Sequence, residues 1–361
     1  MKMRKIVCSF MISVVCFMTA ISGVSATSYD TSKINAAYSK VVEYYKNNNN
    51  LNNADKILAV ESLGLEAESN QFDTSSADLS STSLSKKIVT EVLLGVDPTE
   101  DKKTLESQID ENGNVEGSWG ASSDVWTLYA LYVTSSEKTN LIANKLNDEL
   151  AASSVCGYEW GGTYYADYDT TGWVIEGLAV VNKEKYATTI NKAIDYIKNN
   201  TTMTTTGWVT ADNVDTQSQV LEGMFAYDTN SLLNDSYTIH PIDCLLNKQL
   251  SDGSFPSGYN AEYTTAEVAK TLGTYKNGSV IIKAKKAYDK MMNPEQPDNT
   301  KPAQPTDTKK DSQSTNKVET TNQKTTSVKT GDETNVVIFV SLSMVSGGLF
   351  LVLRKEYERV H

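Results

Sequence analysis

The chain has 361 residues, with 33 basic against 45 acidic side chains, a formal charge of −12 and only two histidines. A surface this acidic, without a basic patch, repels nucleic acid and anionic lipid. His361 is the last residue, so His240 stands alone in the main body. That argues against Ser–His or Cys–His catalysis and against a His-rich metal site, so neither a metal nor a cofactor is expected.

Lys2, Arg4 and Lys5 precede a mostly apolar run from Ile6 to Ile21, and Val24-Ser25-Ala26 offers a small-residue cleavage site. Residues 1–26 are therefore expected to be a secretory signal peptide. Its removal takes away three cations and no acid, leaving −12 − 3 = −15 on the mature chain. Cys8 and Cys16 go with it. Cys156 and Cys244 remain, too few to frame a fold with disulfides, and either one bridge or two buried thiols fits them.

Residues 27–292 are long enough for one substantial core. Strand signals are weak, and the apolar periodicity is that of helices separated by Gly, Asn, Ser and Asp loops. A repeat is visible. Val174-Ile175-Glu176-Gly177-Leu178 matches Val220-Leu221-Glu222-Gly223-Met224, and Leu128 to Leu131, Ala269 to Leu272, Val60 to Leu63 and Thr90 to Leu93 share the register. The anchors Leu63, Leu93, Leu131, Leu178, Met224 and Leu272 are spaced 30, 38, 47, 46 and 48 residues apart. Trp119, Trp160, Trp208 and Phe255 place an aromatic in the loop before each of the last four. Amphipathic outer helices are expected over Tyr38–Tyr45, Asn140–Leu150, Lys185–Asn199 and Ile242–Leu250. None is evident before Leu93, where Asn70 to Ser83 is polar, and a final helix over Val280–Met291 is a candidate for that place. Repeated helical hairpins stack into a solenoid or close into a ring, and six inner helices without a polar capping repeat favour closure.

Residues 293–335 are rich in Pro, Thr, Gln, Lys, Asp and Ser, which predicts a disordered spacer. Val336 to Leu353 is uncharged, and its eighteen residues rise about 27 Å as a helix, enough to span a bilayer. Arg354 and Lys355 follow, so residues 354–361 are expected in the cytoplasm and the main domain outside. Val328-Lys329-Thr330-Gly331, an apolar span and a short basic tail together resemble a Gram-positive sortase sorting signal. The usual form is Leu-Pro-x-Thr-Gly, and Ser327-Val328 stands where Leu-Pro belongs. Attachment is thus expected through the span, with transfer to peptidoglycan at Thr330 as the alternative route.

Leu245 to Tyr275, with Gln249 and Asp252-Gly253-Ser254-Phe255 after an outer helix, resembles the repeat of the terpenoid cyclase and protein prenyltransferase superfamily. Leu84 to Thr99 resembles the inner helix and Gly-x-Asp-Pro exit of such repeats. The resemblance covers most of Ala36 to Tyr288. It implies an all-α fold, an α/α toroid of about six helical hairpins, as in transcobalamin-like proteins and complement thioester domains. The catalytic signatures of those families are missing. Asp212-Asn213-Val214-Asp215 and Asp167-Tyr168-Asp169 do not match the Asp-x-Asp-Asp acid motif. The zinc-binding His-Thr-Cys-Tyr run is absent, and Cys156-Gly157-Tyr158-Glu159 lacks the Gln needed for a thioester.

Two residues before each anchor stand Glu61, Glu91, Tyr129, Glu176, Glu222 and Lys270. A carboxylate on an apolar helix is costly unless it meets solvent or a partner. These positions either line a central cavity suited to a cationic or polyhydroxyl ligand, with Lys270 as counter-charge, or emerge at helix ends. Tyr158, Trp160, Tyr164, Tyr165 and Tyr168 exceed what loop packing needs and are binding candidates, whereas packing is the expected role of the loop Trp and Phe positions. Asp124, Asp169, Asp215 and Thr264 are read as N-caps. The expected function is non-enzymatic binding of a ligand or partner at the cell surface, the ligand being a glycan, corrinoid, isoprenoid or protein. The alternatives are a cyclase-like or glycan-acting enzyme using cavity carboxylates, and a structural or host-contact surface protein.

Overall fold

The computed structural model describes residues 28–68, 72, 80–205, 207–209 and 213–294. The expected signal peptide, the spacer from residue 295 on, the sorting-like motif and the apolar span lie outside them. The described residues are mostly helical, with eleven α helices and two small β hairpins. None of those helices is long and apolar enough to cross a membrane.

Six helices carry the repeat: α2 (Ala54–Ser62), α3 (Ser81–Leu93), α5 (Ala121–Val133), the first half of α7 (Tyr168–Asn200), the first half of α8 (Val214–Asn234) and α10 (Ala261–Asn277). Each packs on the next, and α10 packs back on α2, so their order closes on itself. This arrangement is compatible with an all-α toroid. Neighbours run parallel with a one-repeat offset: Tyr129 on α5 bonds Glu176 on α7, and Thr274 on α10 bonds Glu222 on α8. Small residues let the backbones approach. A Cβ on Gly223 would lie 2.3 Å from the Gly172 carbonyl oxygen, and one on Gly273 2.6 Å from Ser62.

Outside this series lie α1 (Thr31–Asn47), α4 (Thr99–Ser107), α6 (Thr139–Ser153), α9 (Pro241–Leu246) and the second halves of α7 and α8. Two inner-to-outer junctions are single non-helical residues, Asn182 and Asp228. Each caps the following half, with Lys185 N–H donating to Asn182 Oδ1 and Ser231 N–H to Asp228 Oδ1. Helix α4 is absent from the sequence reading because Leu105 is its one buried residue, too little to show a period.

The last helix, α11 (Val280–Met292), does not take the outer place before α3. It contacts α2, α3, α5 and α10 instead, and its N-cap Ser279 bonds Glu176 on α7. It therefore lies across the end of the ring where α2 and α3 finish, with Val280, Ile281, Ala284 and Tyr288 buried against it. At the opposite end are the loops that enter the inner helices. One is the hairpin β1 (Gly157–Trp160) and β2 (Thr163–Ala166), turning at positive-φ Gly161 and Gly162; a second, β3 (Thr202–Thr204) with β4 (Gly207–Val209), follows α7.

The loop aromatics divide. Trp208 and Phe255 are fully buried, as packing requires, but Trp119 is 68% exposed, against expectation. Its loop runs between positive-φ Gly117 and Gly120, and the Trp119 N–H, rather than the ring, is tied to the helix through Ser123 Oγ. The N-caps also differ from expectation. Asp167, Asn213 and Asn260 hold the first turns of α7, α8 and α10, and Gly120 precedes α5. Asp124, Asp169, Asp215 and Thr264 sit inside those helices, where Asp169 accepts from Thr216 of the next helix and Asp124 from Ser118 and Lys145. Cys156 and Cys244 are buried free thiols, and His240 caps α9 through Nδ1.

Candidate functional site

The recurring position gathers four of its six residues. Tyr129, Glu176, Glu222 and Lys270 line one small chamber at the centre of the ring, with Leu58, Trp126, Trp173, Val280 and Ile281 completing its walls. Helical periodicity puts them there: an apolar stripe faces neighbouring helices, and the residue two before each anchor turns to the axis. The other two diverge. Glu61 lies at the α11 end, accepting from the Ala67 N–H at 2.7 Å and pairing with Lys283 of α11 at 2.6 Å. Glu91 faces Lys87, which holds Asp101 of α4 more closely.

Within the chamber every polar contact joins different helices or one turn of the same helix. Tyr129 donates to Glu176 Oε2 at 3.0 Å and to the Trp173 carbonyl at 2.9 Å, while Ser279 donates to Glu176 Oε1 at 2.6 Å. Lys270 pairs with Glu267, three residues earlier, at 2.9 Å. Its ammonium stands 5.5 Å from the centre of the Trp126 ring. Gln219 donates to the other Glu267 oxygen at 3.0 Å. Glu222 receives only a long contact from Thr274, and its Oε2 has no hydrogen-bond partner, nor has Trp173 Nε1.

Lys270 thus faces Glu267, Glu222 and Glu176, all almost without solvent, and also feels Asp55, which pairs with Lys86 at 2.9 Å. Burial first, and then the neighbouring Glu176, push the Glu222 carboxyl well above its ordinary range. Burial also raises Glu176, against the hydrogen bond from Ser279 and the field of Lys270. Lys270 is raised because Glu267 and Glu222 outweigh the burial that opposes its charge. The chemical consequence is an ion pair, Lys270–Glu267, beside Glu222, a carboxyl whose charged form the surroundings disfavour. The chamber itself measures about 10 Å³, room for about one water molecule. Among the described residues no group of three or more His, Cys, Asp or Glu could hold a metal ion.

Glu267, Gln219, Trp126 and Trp173 are not among the residues that the repeat register singles out. The signal was present: each lies three residues before Lys270, Glu222, Tyr129 and Glu176, one helical turn earlier on the same face.

The tyrosine-rich segment is the β1–β2 hairpin. Tyr158 and Tyr165 are cross-strand partners, stacked with ring centres 5.5 Å apart at 17°, and 57% and 44% exposed. Tyr164 points to the other face and is tethered by its hydroxyl to the Val155 carbonyl at 2.8 Å. Trp160 pairs with Thr163 in the strand register, and its side chain lies outside the described part. Tyr168 is buried in the first turn of α7. Trp119 and Tyr259, both 68% exposed, stand in the loops before α5 and α10, at the same end of the inner helices as the hairpin.

Comparison of the chain with protein-family models, with curated proteins and with solved structures gives no match.

Proposed function

We propose that the chain is a cell-surface-anchored, non-enzymatic binding protein built on an α/α toroid, and that it binds through the loop end of the ring rather than through its centre. The observation that carries this reading is the closure of the interior. Glu176, Glu222, Glu267 and Lys270 are almost fully buried around a chamber of about 10 Å³, beneath Val280 and Ile281. Lys270 pairs with Glu267, and Glu176 is held by Tyr129 and Ser279, as in a structural network. A corrinoid or isoprenoid needs far more room than that, whereas a glycan or a protein surface is met from outside. At the loop end Trp119, Tyr158, Tyr165 and Tyr259 offer the exposed aromatic area typical of binding surfaces. The toroid is supported by the closed order of the six parallel helices. Secretion and anchoring are supported by the apolar segments at the two ends of the sequence, with the short basic tail inside.

The test is sedimentation of the full chain with Gram-positive cell walls carrying their polysaccharide, compared with a Trp119→Ser/Tyr158→Ser/Tyr165→Ser/Tyr259→Ser variant. Co-sedimentation of the parent and its loss in the variant, with melting unchanged, is expected. Equal co-sedimentation of the two, or none by either, contradicts the reading.

A further inference from the structure

A second recess lies at the same end of the ring, with a volume of about 280 Å³. Its walls come from the C-terminus of α1 (Tyr44, Asn47), the loop that follows (Asn48, Asn50) and the first turns of α2 and α10 (Lys56, Glu262). Its size is close to the lower end of the range for small-molecule pockets, about 300 Å³, which suits one or two sugar rings.

The chemistry of the walls is specific. Lys56 and Glu262 form an ion pair at 2.8 Å, so the recess carries no uncompensated charge, yet the Glu262 side chain keeps 66% of its surface exposed for further contacts. Asn47, Asn48 and Asn50 are exposed, and an asparagine amide carries an acceptor and two donors side by side. Asn48 and Asn47 spend one amide N–H each, on the Tyr44 carbonyl and on Glu43. Both side chains are thereby positioned with their carbonyl oxygens left to accept. The half-buried Tyr44 ring is braced edge-on by the buried Tyr45, with centres 5.3 Å apart at 88°. Neutral amides beside a braced aromatic ring match a ligand whose hydroxyls both give and accept hydrogen bonds and whose C–H face can lie on a ring.

We infer that this recess binds a neutral saccharide. The inference rests on the binding reading above and names a ligand class for it. Saturation-transfer NMR of the full chain with maltose, cellobiose and N,N′-diacetylchitobiose tests it. At least one disaccharide should bind in the millimolar range. Tyr44→Leu, which keeps an apolar side chain but removes the ring, should weaken it about fivefold, the worth of one aromatic contact. Asn47→Ala/Asn50→Ala, on exposed positions that cannot unfold the core, should weaken it severalfold. Binding of none of the three, or binding that survives the asparagine changes, overturns the inference. If wall binding persists in either case, the recess is refuted and the binding reading stands; if wall binding is absent too, both fall.

Discussion

Replacing Lys270 by Met removes the ammonium from the centre of the ring and keeps most of the apolar stem. Lys270 and Glu267 are 2.9 Å apart and essentially without solvent. Breaking such a pair from one side costs about 3–5 kcal/mol, since the remaining charge is buried without a partner. Urea denaturation followed by tryptophan fluorescence at pH 7.5 should give a loss of about 3–4 kcal/mol. Adding Glu267→Gln to Lys270→Met should recover much of the loss at pH 7.5. A loss below about 1 kcal/mol, or one that Glu267→Gln does not relieve, would contradict a buried ion pair whose partner is left unpaired.

Three other outcomes follow from the same geometry. Burial raises the Glu222 carboxyl above its ordinary range, which opposes folding at neutral pH, so Glu222→Gln should leave stability at pH 7 unchanged or raise it; urea titration showing a loss above about 2 kcal/mol contradicts this. Gly223→Ala drives a methyl into the Gly172 carbonyl and should cost about 2–3 kcal/mol, read as a lower melting temperature with an unchanged circular-dichroism spectrum. Asp169 is raised to about 7 by burial and then by the neighbouring Asp167. It favours the fold below the ordinary aspartate value of about 4, and this contribution fades as pH rises towards 7, by at most about 4 kcal/mol. Melting temperature measured across pH 4–8 should therefore fall less steeply in Asp169→Asn than in the parent.

The sequence carries the inner helices well, because each is long, apolar and anchored in a common register, and that register brought Tyr129, Glu176, Glu222 and Lys270 together. It carries less where a feature depends on partners distant in the chain. Glu61 and Glu91 share the register, yet Lys283 and the Lys87–Asp101 pair take them elsewhere. The amphipathic pattern of α11 marks a helix but not its destination, which Ser279 and Ile281 reveal only once the ring has formed. Tyr158 and Tyr165 alternate too briefly to announce a hairpin. Asp169 and Asp215 look like caps because the true caps, Asp167 and Asn213, stand two residues earlier and are also Asx side chains. The recess beside Asn47–Asn50 needs α10 to return to α2 before Glu262 meets Lys56.

The central claim is that the buried charges hold the ring together while binding occurs at its loop end. Its most direct test compares the cell-wall binding isotherms of the parent chain, Glu176→Gln/Glu222→Gln, and the variant with Trp119, Tyr158, Tyr165 and Tyr259 changed to Ser. An unchanged isotherm is expected for the interior pair and at least about tenfold weaker binding for the loop variant. Weakened binding in the folded interior variant, with the loop variant unaffected, would contradict it.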